Sequence, residues 1–194
     1  MAWVNAAFIV LNEAALIVTF VAENFMVESS LVDVFDAVLL DKGYSDLVST
    51  AREINPNART SVQALGRFTK SPFARFSCSL TCKFLLIIPL NFIPVVGPVL
   101  FIILEGYLFG PLSHYRYFQL KGWDKKRKLK WQKERVIAYL GFGTAHMVLQ
   151  LFPVLSILFL FTSATGAALW AADMEKAARS DRAEEERERL CHLF

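Results

Sequence analysis

Side chains able to do chemistry are sparse in this sequence and do not cluster. His114, His146 and His192 stand far apart, and of the three only His192 has a cysteine beside it, Cys191. No Gly-x-Ser-x-Gly elbow, Walker loop or His-Glu-x-x-His pair occurs, so nucleophilic, phosphate-binding and zinc-protease chemistry find no foothold. No residue is assigned a catalytic, cofactor-binding or metal role. Two ionisable groups draw attention by position. Glu105 is the one acid in a long apolar run, and His146 sits inside another. An ionisable group at membrane depth either serves a pathway or ion pair, or hydrogen-bonds to a neighbouring helix. Both readings stay open for Glu105 and His146, and Glu13 is treated alike. Cys78 and Cys82 lie four apart on one helical face. They lack partner ligands for zinc, and their juxtamembrane place suits S-palmitoylation. The terminal Cys191-His192-Leu193-Phe194 loosely satisfies a prenylation pattern.

The elements that must position these residues are apolar and long. Of the 194 residues 55% are hydrophobic, 17 are Phe and 20% are charged; mean hydropathy is +0.39. Such a chain is neither disordered nor, with 3 Cys, a disulfide framework. Residues 1–27 form a first apolar helix, interrupted by Asn5, Asn12, Glu13, Glu23 and Asn24: either one crossing or a helix buried against others. Residues 84–112 form a second region with Pro89, Asn91, Pro94, Gly97 and Pro98 crowding its middle. Interior prolines remove backbone donors and clash with the preceding turn, so PLNFIPVVGP is read as a bend between two apolar arms. Residues 136–172 form a third region, too long at about 1.5 Å per residue for one crossing of a core of about 30 Å, and Pro153 divides it. The fold class expected is all-α: a polytopic integral membrane protein with proline-bent helical hairpins.

Charge selects among topologies. The net +3 hides a front of seven acids and one base (residues 1–50) and two basic blocks, 51–83 and 121–135. Lys and Arg beside membrane segments mark the cytoplasmic face. Both blocks on one face require region two to leave and return on that face, which a bent hairpin does; ordinary tilted or paired crossings are the alternative. The run Lys125-Lys126-Arg127-Lys128 within the 113–135 loop also suits nucleic acid, but apolar neighbours on either side favour anchoring to anionic lipid, and no nucleic-acid partner is expected. Within 28–83, Leu31, Val34, Phe35, Val38 and Leu39 make a helical stripe with Asp33, Asp36 and Lys42 off it. Its acidity favours docking on protein over lipid, and INPNA at 54–58 is expected to end it. Gly106-x-x-x-Gly110 and the small-residue run Ser163–Ala168 permit close helix approach, and with it self-association. Residues 173–194 read as a charged helical tail with i, i+4 pairs.

Three stretches together resemble a known family: PLNFIPVVGPVLFIILEGYLFGP (89–111), HYRYFQLKGW (114–123) and AYLGFGTAHMVLQLFPVLSILFLFTSATGAALWAADMEK (138–176). They look like the etoposide-induced/CysZ-like membrane superfamily, and more closely its fungal branch of outer spore wall and lipid-droplet proteins. The turn residues carrying the resemblance are His114, Arg116, Tyr117, Phe118, Gln119, Lys121 and Gly122. The upstream LVDVFDAVLLDKGYSDLV also resembles that branch. The resemblance implies a helical polytopic fold, residence in endoplasmic reticulum, lipid droplets or forespore envelope, no cofactor and no catalytic activity. Trp3-Val4-Asn5-Ala6 looks like the interior of a family helix, so an N-terminally truncated chain is expected.

Two functions follow as leading expectations. One is a non-enzymatic protein of lipid droplets and endoplasmic reticulum, partnered by membrane lipids and the neutral-lipid droplet surface, that contributes to outer spore wall assembly or droplet organisation. The other is a small-anion channel or transporter, with half-helix N-termini at the PLNFIPVVG bend facing the anion; the bend's lack of Lys or Arg and the sign of Glu105 count against it. A lipid-modifying enzyme lacks its catalytic set, and a scaffold of the endoplasmic reticulum, implied by the animal branch, has no residue naming a partner.

Overall fold

A computed structural model describes residues 27–69, 83, 86–87, 90, 93, 96–152 and 155–191. The first apolar region, the bend residues Pro89, Asn91 and Pro94, Pro153, and Cys78 and Cys82 lie outside the described residues. The described chain is mostly helical. Its elements are α1 (Glu28–Asp41), α2 (Ser45–Ser49), β1 (Arg52–Ile54), α3 (Ser61–Ala64), β2 (Leu65–Phe68), α4 (Val96–Phe109), a 3-10 turn (Gly110–His114), α5 (Tyr115–Leu120), α6 (Lys125–Glu134), α7 (Val136–Gln150) and α8 (Ser156–Cys191).

Among the described residues three helices make the apolar part. Gly106 of α4 faces Gly143 and Thr144 of α7, and Gly110 faces Tyr139, so closely that a β-carbon on any of these glycines would strike the opposite backbone. Small residues thus let α4 and α7 meet backbone to backbone, running antiparallel. Along the other side of α7, Tyr139 and Phe142 pack on Trp170 and His146 bonds Ser163, so α8 runs antiparallel to α7. Pro98 lies in the opening turn of α4, where its missing N–H has no intrahelical acceptor to lose. Two stretches, Val96–Leu120 (25 residues) and Ser156–Cys191 (36 residues), are long and apolar enough to cross a membrane. The charged tail is no separate element: α8 runs unbroken from the apolar arm to Cys191.

The hydrophobic core lies at one end of these helices. Phe35 and Leu39 of α1, Leu47 and Val48 of α2, Tyr117, Phe118 and Leu120 of α5, and Ala167, Ala168, Ala171, Ala172 and Met174 of α8 are buried together. The acidic stripe helix therefore docks on protein. It ends earlier than INPNA: Gly43 takes a left-handed φ of +84°, and Tyr44 N–H bonds Leu39 while Gly43 N–H bonds Leu40, the glycine-terminated Schellman stop. Nor is Asp36 off the buried face; it is fully buried, for a reason given below. The all-α expectation also needs correcting. β1 and β2 pair antiparallel, Arg52 opposite Phe68 and Ile54 opposite Leu65. Strands of three and four residues are too short to show a two-residue period. Asn55-Pro56 acts here inside the connection between the strands: Asn55 Oδ1 accepts from Asn57 N–H at 3.1 Å, and Asn55 N–H returns to Ala64 O at 2.9 Å.

Candidate functional site

The segment from His114 to Trp123 is the junction where α1, α7 and α8 meet. Tyr115–Leu120 makes less than two turns of helix, and its end is a second Schellman stop. Trp123 N–H bonds Phe118 O at 3.1 Å and Gly122 N–H bonds Gln119 O at 3.1 Å, with Gly122 at φ +63°. The apolar contact that accompanies this motif is Trp123 stacked on Phe118, ring centroids 5.3 Å apart. The Phe-x-x-x-Gly-Trp spacing of the segment is thus the requirement of its own termination. The turn stands with its side chains pointing to three different partners.

Arg116 reaches α1. Its Nε donates to Asp36 Oδ1 at 2.9 Å and one terminal nitrogen to Oδ2 at 2.6 Å; the other terminal nitrogen bonds Gln119 Oε1 at 2.8 Å. This is the two-pronged fork that a guanidinium makes with a carboxylate. Arg52 of β1 completes a four-charge cluster, with Asp33 Oδ1 at 2.6 Å and Asp36 Oδ2 at 3.5 Å. Its Nε donates to Gly66 O across the strand pair, and its guanidinium lies 4.0 Å from the centre of the Phe68 ring. Two arginines and two aspartates leave the cluster neutral, which is what allows Asp36 to be buried. The β-hairpin exists here as the platform that presents Arg52 and Phe68.

His114 reaches α7 and α8. It is fully buried. Its Nε2 is 3.0 Å from Ala167 O; a carbonyl only accepts, so Nε2 carries the proton. Nδ1 then accepts from the Tyr139 hydroxyl at 3.0 Å, and the ring meets Trp170 edge-on at 4.4 Å. Tyr117 and Lys121 reach the far half of α8. The Tyr117 hydroxyl donates to Glu175 Oε2 at 3.1 Å, Lys121 Nζ lies 2.6 Å from the same oxygen, and Arg179 Nε donates to Oε1 at 3.0 Å. Arg179 also bonds Asp46 of α2 at 2.6 Å. Burial pushes the Glu175 carboxyl up, but the Lys121 and Arg179 hydrogen bonds overbalance it, and the group titrates below the ordinary carboxylate value of 4.5.

The turn residues identified in the sequence are therefore brought together, and their partners Asp36, Arg52, Tyr139 and Glu175 were not foreseen. One signal was present: Arg116 is the lone base in residues 84–120, and a lone base beside buried apolar sequence calls for an acid. The remaining candidates stand apart. Glu105 is buried on α4, one carboxylate oxygen lacking a hydrogen-bond partner among the described residues. His146 Nδ1 lies 2.8 Å from Ser163 Oγ. Gly97 is buried, where a β-carbon would strike the Leu90 carbonyl, and Cys191 is exposed. No three His, Cys, Asp or Glu side chains converge as a metal cage among the described residues. The arrangement at 114–123 holds helices together; every charge in it faces an opposite charge of the same chain.

Over residues 2–160 the sequence matches the family described as Sulfate transporter CysZ/Etoposide-induced protein 2.4. The chain belongs to this family. It is a membrane-protein family, in keeping with the long apolar helices. The turn from His114 to Trp123 falls inside the matched range, while Ala167 and Glu175, which it grips, lie beyond it. The chain is also similar to Outer spore wall protein RRT8 of Saccharomyces cerevisiae, 33% identical over 94 residues, which is 46% of this chain and 26% of that protein. The chain thus aligns with about a quarter of that relative's length. No solved structure matches.

Proposed function

We propose that this CysZ/etoposide-induced family member is a non-enzymatic protein of lipid droplets and the endoplasmic reticulum that contributes to outer spore wall assembly or droplet organisation, its apolar arms entering lipid from one side. The observation that carries the reading is the placement of the arms on the charged junction. The C-terminal end of α4, the start of α7 and the middle of α8 all meet at His114, so the three arms project from one polar base. α7 has 15 residues, about 22 Å at 1.5 Å per residue. The apolar part of α8, residues 156–172, comes to about 25 Å on the same rise. A hydrocarbon core is about 30 Å thick. At the far end of the α7–α8 pair, Leu151, Phe152, Leu155, Ile157 and Leu158 are exposed, and no charged residue occurs from 136 to 172. A droplet bounded by one leaflet accepts such a pair, whereas a helix with soluble ends on both sides does not fit it. The similarity to an outer spore wall protein supports the spore-wall part of the reading.

The test is localisation of a C-terminal fluorescent fusion against a neutral-lipid dye, in growing and in sporulating cells. Rings around stained droplets are expected; a reticular or plasma-membrane pattern that avoids droplets refutes the droplet assignment. The second reading, a small-anion channel or transporter, is favoured by the family description. The bases of the turn are all occupied by acids of the chain, which leaves them no free charge for a permeating anion. Proteoliposomes holding the chain are expected to take up no more sulfate than empty vesicles, and uptake above that level would put transport first.

A further inference from the structure

We infer that one face of α6 is a binding site for anionic phospholipid headgroups, formed by Lys126, Lys130 and Lys133 around Leu129. These four line a shallow groove along the helix with Glu134 at its end. The three lysines are exposed, and among the described residues none has an ion-pair partner, although this chain pairs buried and half-buried charges throughout its junction. Glu134, the groove's one acid, lies 3.5 Å from Arg135. The spacing 126, 129, 130, 133 is that of one helical face.

The opposite face is fixed to the junction, so the lysine face has a set direction. Trp131 meets Trp123 edge-on at 5.3 Å, and Trp123 stacks on Phe118 of the core. The Arg127 guanidinium lies 4.6 Å over Trp123, and that of Arg135 lies 3.4 Å over Trp131. Arg127 and Arg135 are thus spent on aromatic rings, while the three lysines are left outward. The helix is also at the right depth. Arg135 alone separates it from α7, whose second residue, Ile137, is the most exposed large apolar side chain of the arm. An exposed leucine among outward lysines, one residue from a lipid-facing arm, suits the boundary between acyl chains and headgroups, with Leu129 in the former and the ammonium groups on phosphates. Charge complementarity and that depth commit the face to lipid of the membrane holding the arms.

This inference rests on the membrane reading, and the experiment separates the two. The full chain is reconstituted in phosphatidylcholine vesicles containing dansyl-labelled phosphatidylserine or dansyl-labelled phosphatidylcholine, and energy transfer from its tryptophans is recorded. Transfer to labelled phosphatidylserine is expected to exceed transfer to labelled phosphatidylcholine at low salt, with the excess vanishing at high salt. Each lysine near an anionic surface favours binding by about fivefold. Three lysines together then favour binding by roughly a hundredfold, so K126Q/K130Q/K133Q is expected to abolish the excess transfer to labelled phosphatidylserine, while K176Q/R187Q/R189Q on the distal part of α8 leaves it unchanged. Equal transfer to both labels in the unsubstituted chain, or an unchanged preference in the lysine variant, overturns the site. So does loss of binding to a short DNA duplex in the lysine variant with no lipid preference in either protein. Chains that do not co-float with neutral vesicles overturn the membrane reading and this inference together; chains that co-float without headgroup preference overturn this inference alone.

Discussion

Replacing Arg116 by alanine tests the idea that the family turn is held by internal charge compensation. Asp36 is fully buried and receives both of its short hydrogen bonds from Arg116. Without that guanidinium its remaining cationic neighbour is Arg52, 3.5 Å from one oxygen and already engaged with Asp33. Removing one partner of a buried pair strands the other charge, at a cost of about 3–5 kcal/mol. For a chain of this size a loss of 1 kcal/mol lowers Tm by about 2–4 °C, so R116A is expected to lower Tm by about 6–20 °C. D36A should fall in the same direction, since it strands Arg116, itself buried. The diagnostic variant is D36A/R116A, which removes both charges. If the penalty is stranded charge, the double variant loses much less than the two singles added together, with a coupling of up to about 3 kcal/mol. R116K, which keeps the charge and loses the fork, should fall between wild type and R116A. The assay is thermal unfolding of the purified full chain in detergent, read by circular dichroism, with hydrogen exchange at α1 and α5 amides locating the loss. Additive single-variant losses, or an R116A Tm within 2 °C of wild type, would refute the reasoning.

Other parts of the structure lead to equally direct expectations. The folded Glu175 carboxyl titrates below its ordinary value, so its ionised form contributes stability above about pH 4.5 that is lost as pH falls through the folded value; the Tm difference between wild type and E175Q should be widest near neutrality and close on acidification, and a pH-independent difference would contradict the pairing with Lys121 and Arg179. A β-carbon at Gly143 would strike the Gly106 carbonyl, whereas one at Gly141 meets open space. G143A is therefore expected to cost about 1–3 kcal/mol, and G141A to be neutral or stabilising by up to about 1 kcal/mol, both read as Tm; equal effects would show that α4 and α7 do not meet at these glycines. Replacing His114 by phenylalanine keeps a ring but leaves the Tyr139 hydroxyl without its acceptor. A loss of about 1–3 kcal/mol is expected, restored in part by adding Y139F, and no recovery in the double variant would break the assigned hydrogen bond.

Legibility in the sequence followed the range of the interactions. Apolar helices announce themselves in any window of the chain, and the stripe Leu31, Phe35, Leu39 placed α1 face-down because helical period is a local property. The turn at His114–Gly122 was read from resemblance, although its Schellman stop, being written in six consecutive residues, is a local signal too. Asp36 was not, since its partner Arg116 is 80 positions away, and a carboxylate beside an apolar stripe looks solvated until its cation is found. Glu175 was legible only in its local i, i+4 pairing with Arg179, which the structure makes. It reads as one more acid in a charged tail, yet Tyr117, 58 residues earlier, reaches it. The β-hairpin escaped because its worth lies in presenting Arg52 and Phe68 to that same cluster, not in any burial pattern of its own.

The distribution of compensated and uncompensated charge carries a further step. The lengths of the apolar arms do not by themselves settle where in a lipid layer they stop. A rigid base does. His114, Arg116, Tyr117 and Lys121 bind three different elements, α7, α1 and α8, within one short turn, so an arm, the docked acidic helix and the long α8 are tied to one base. Because the charges in that base neutralise one another, it can lie against headgroups without drawing its own ions apart. The lysines of α6 are held on the outside of the same base, and among the described residues no acid pairs with them. Internal pairing then determines the shape of the base, and the unpaired lysines determine which surface it rests on. Two perturbations should therefore separate: breaking the Asp36–Arg116 pair lowers stability and leaves headgroup preference to whatever chain remains folded, whereas removing the α6 lysines abolishes the preference at unchanged Tm. A lysine variant that melts early would show that α6 belongs to the structural base after all.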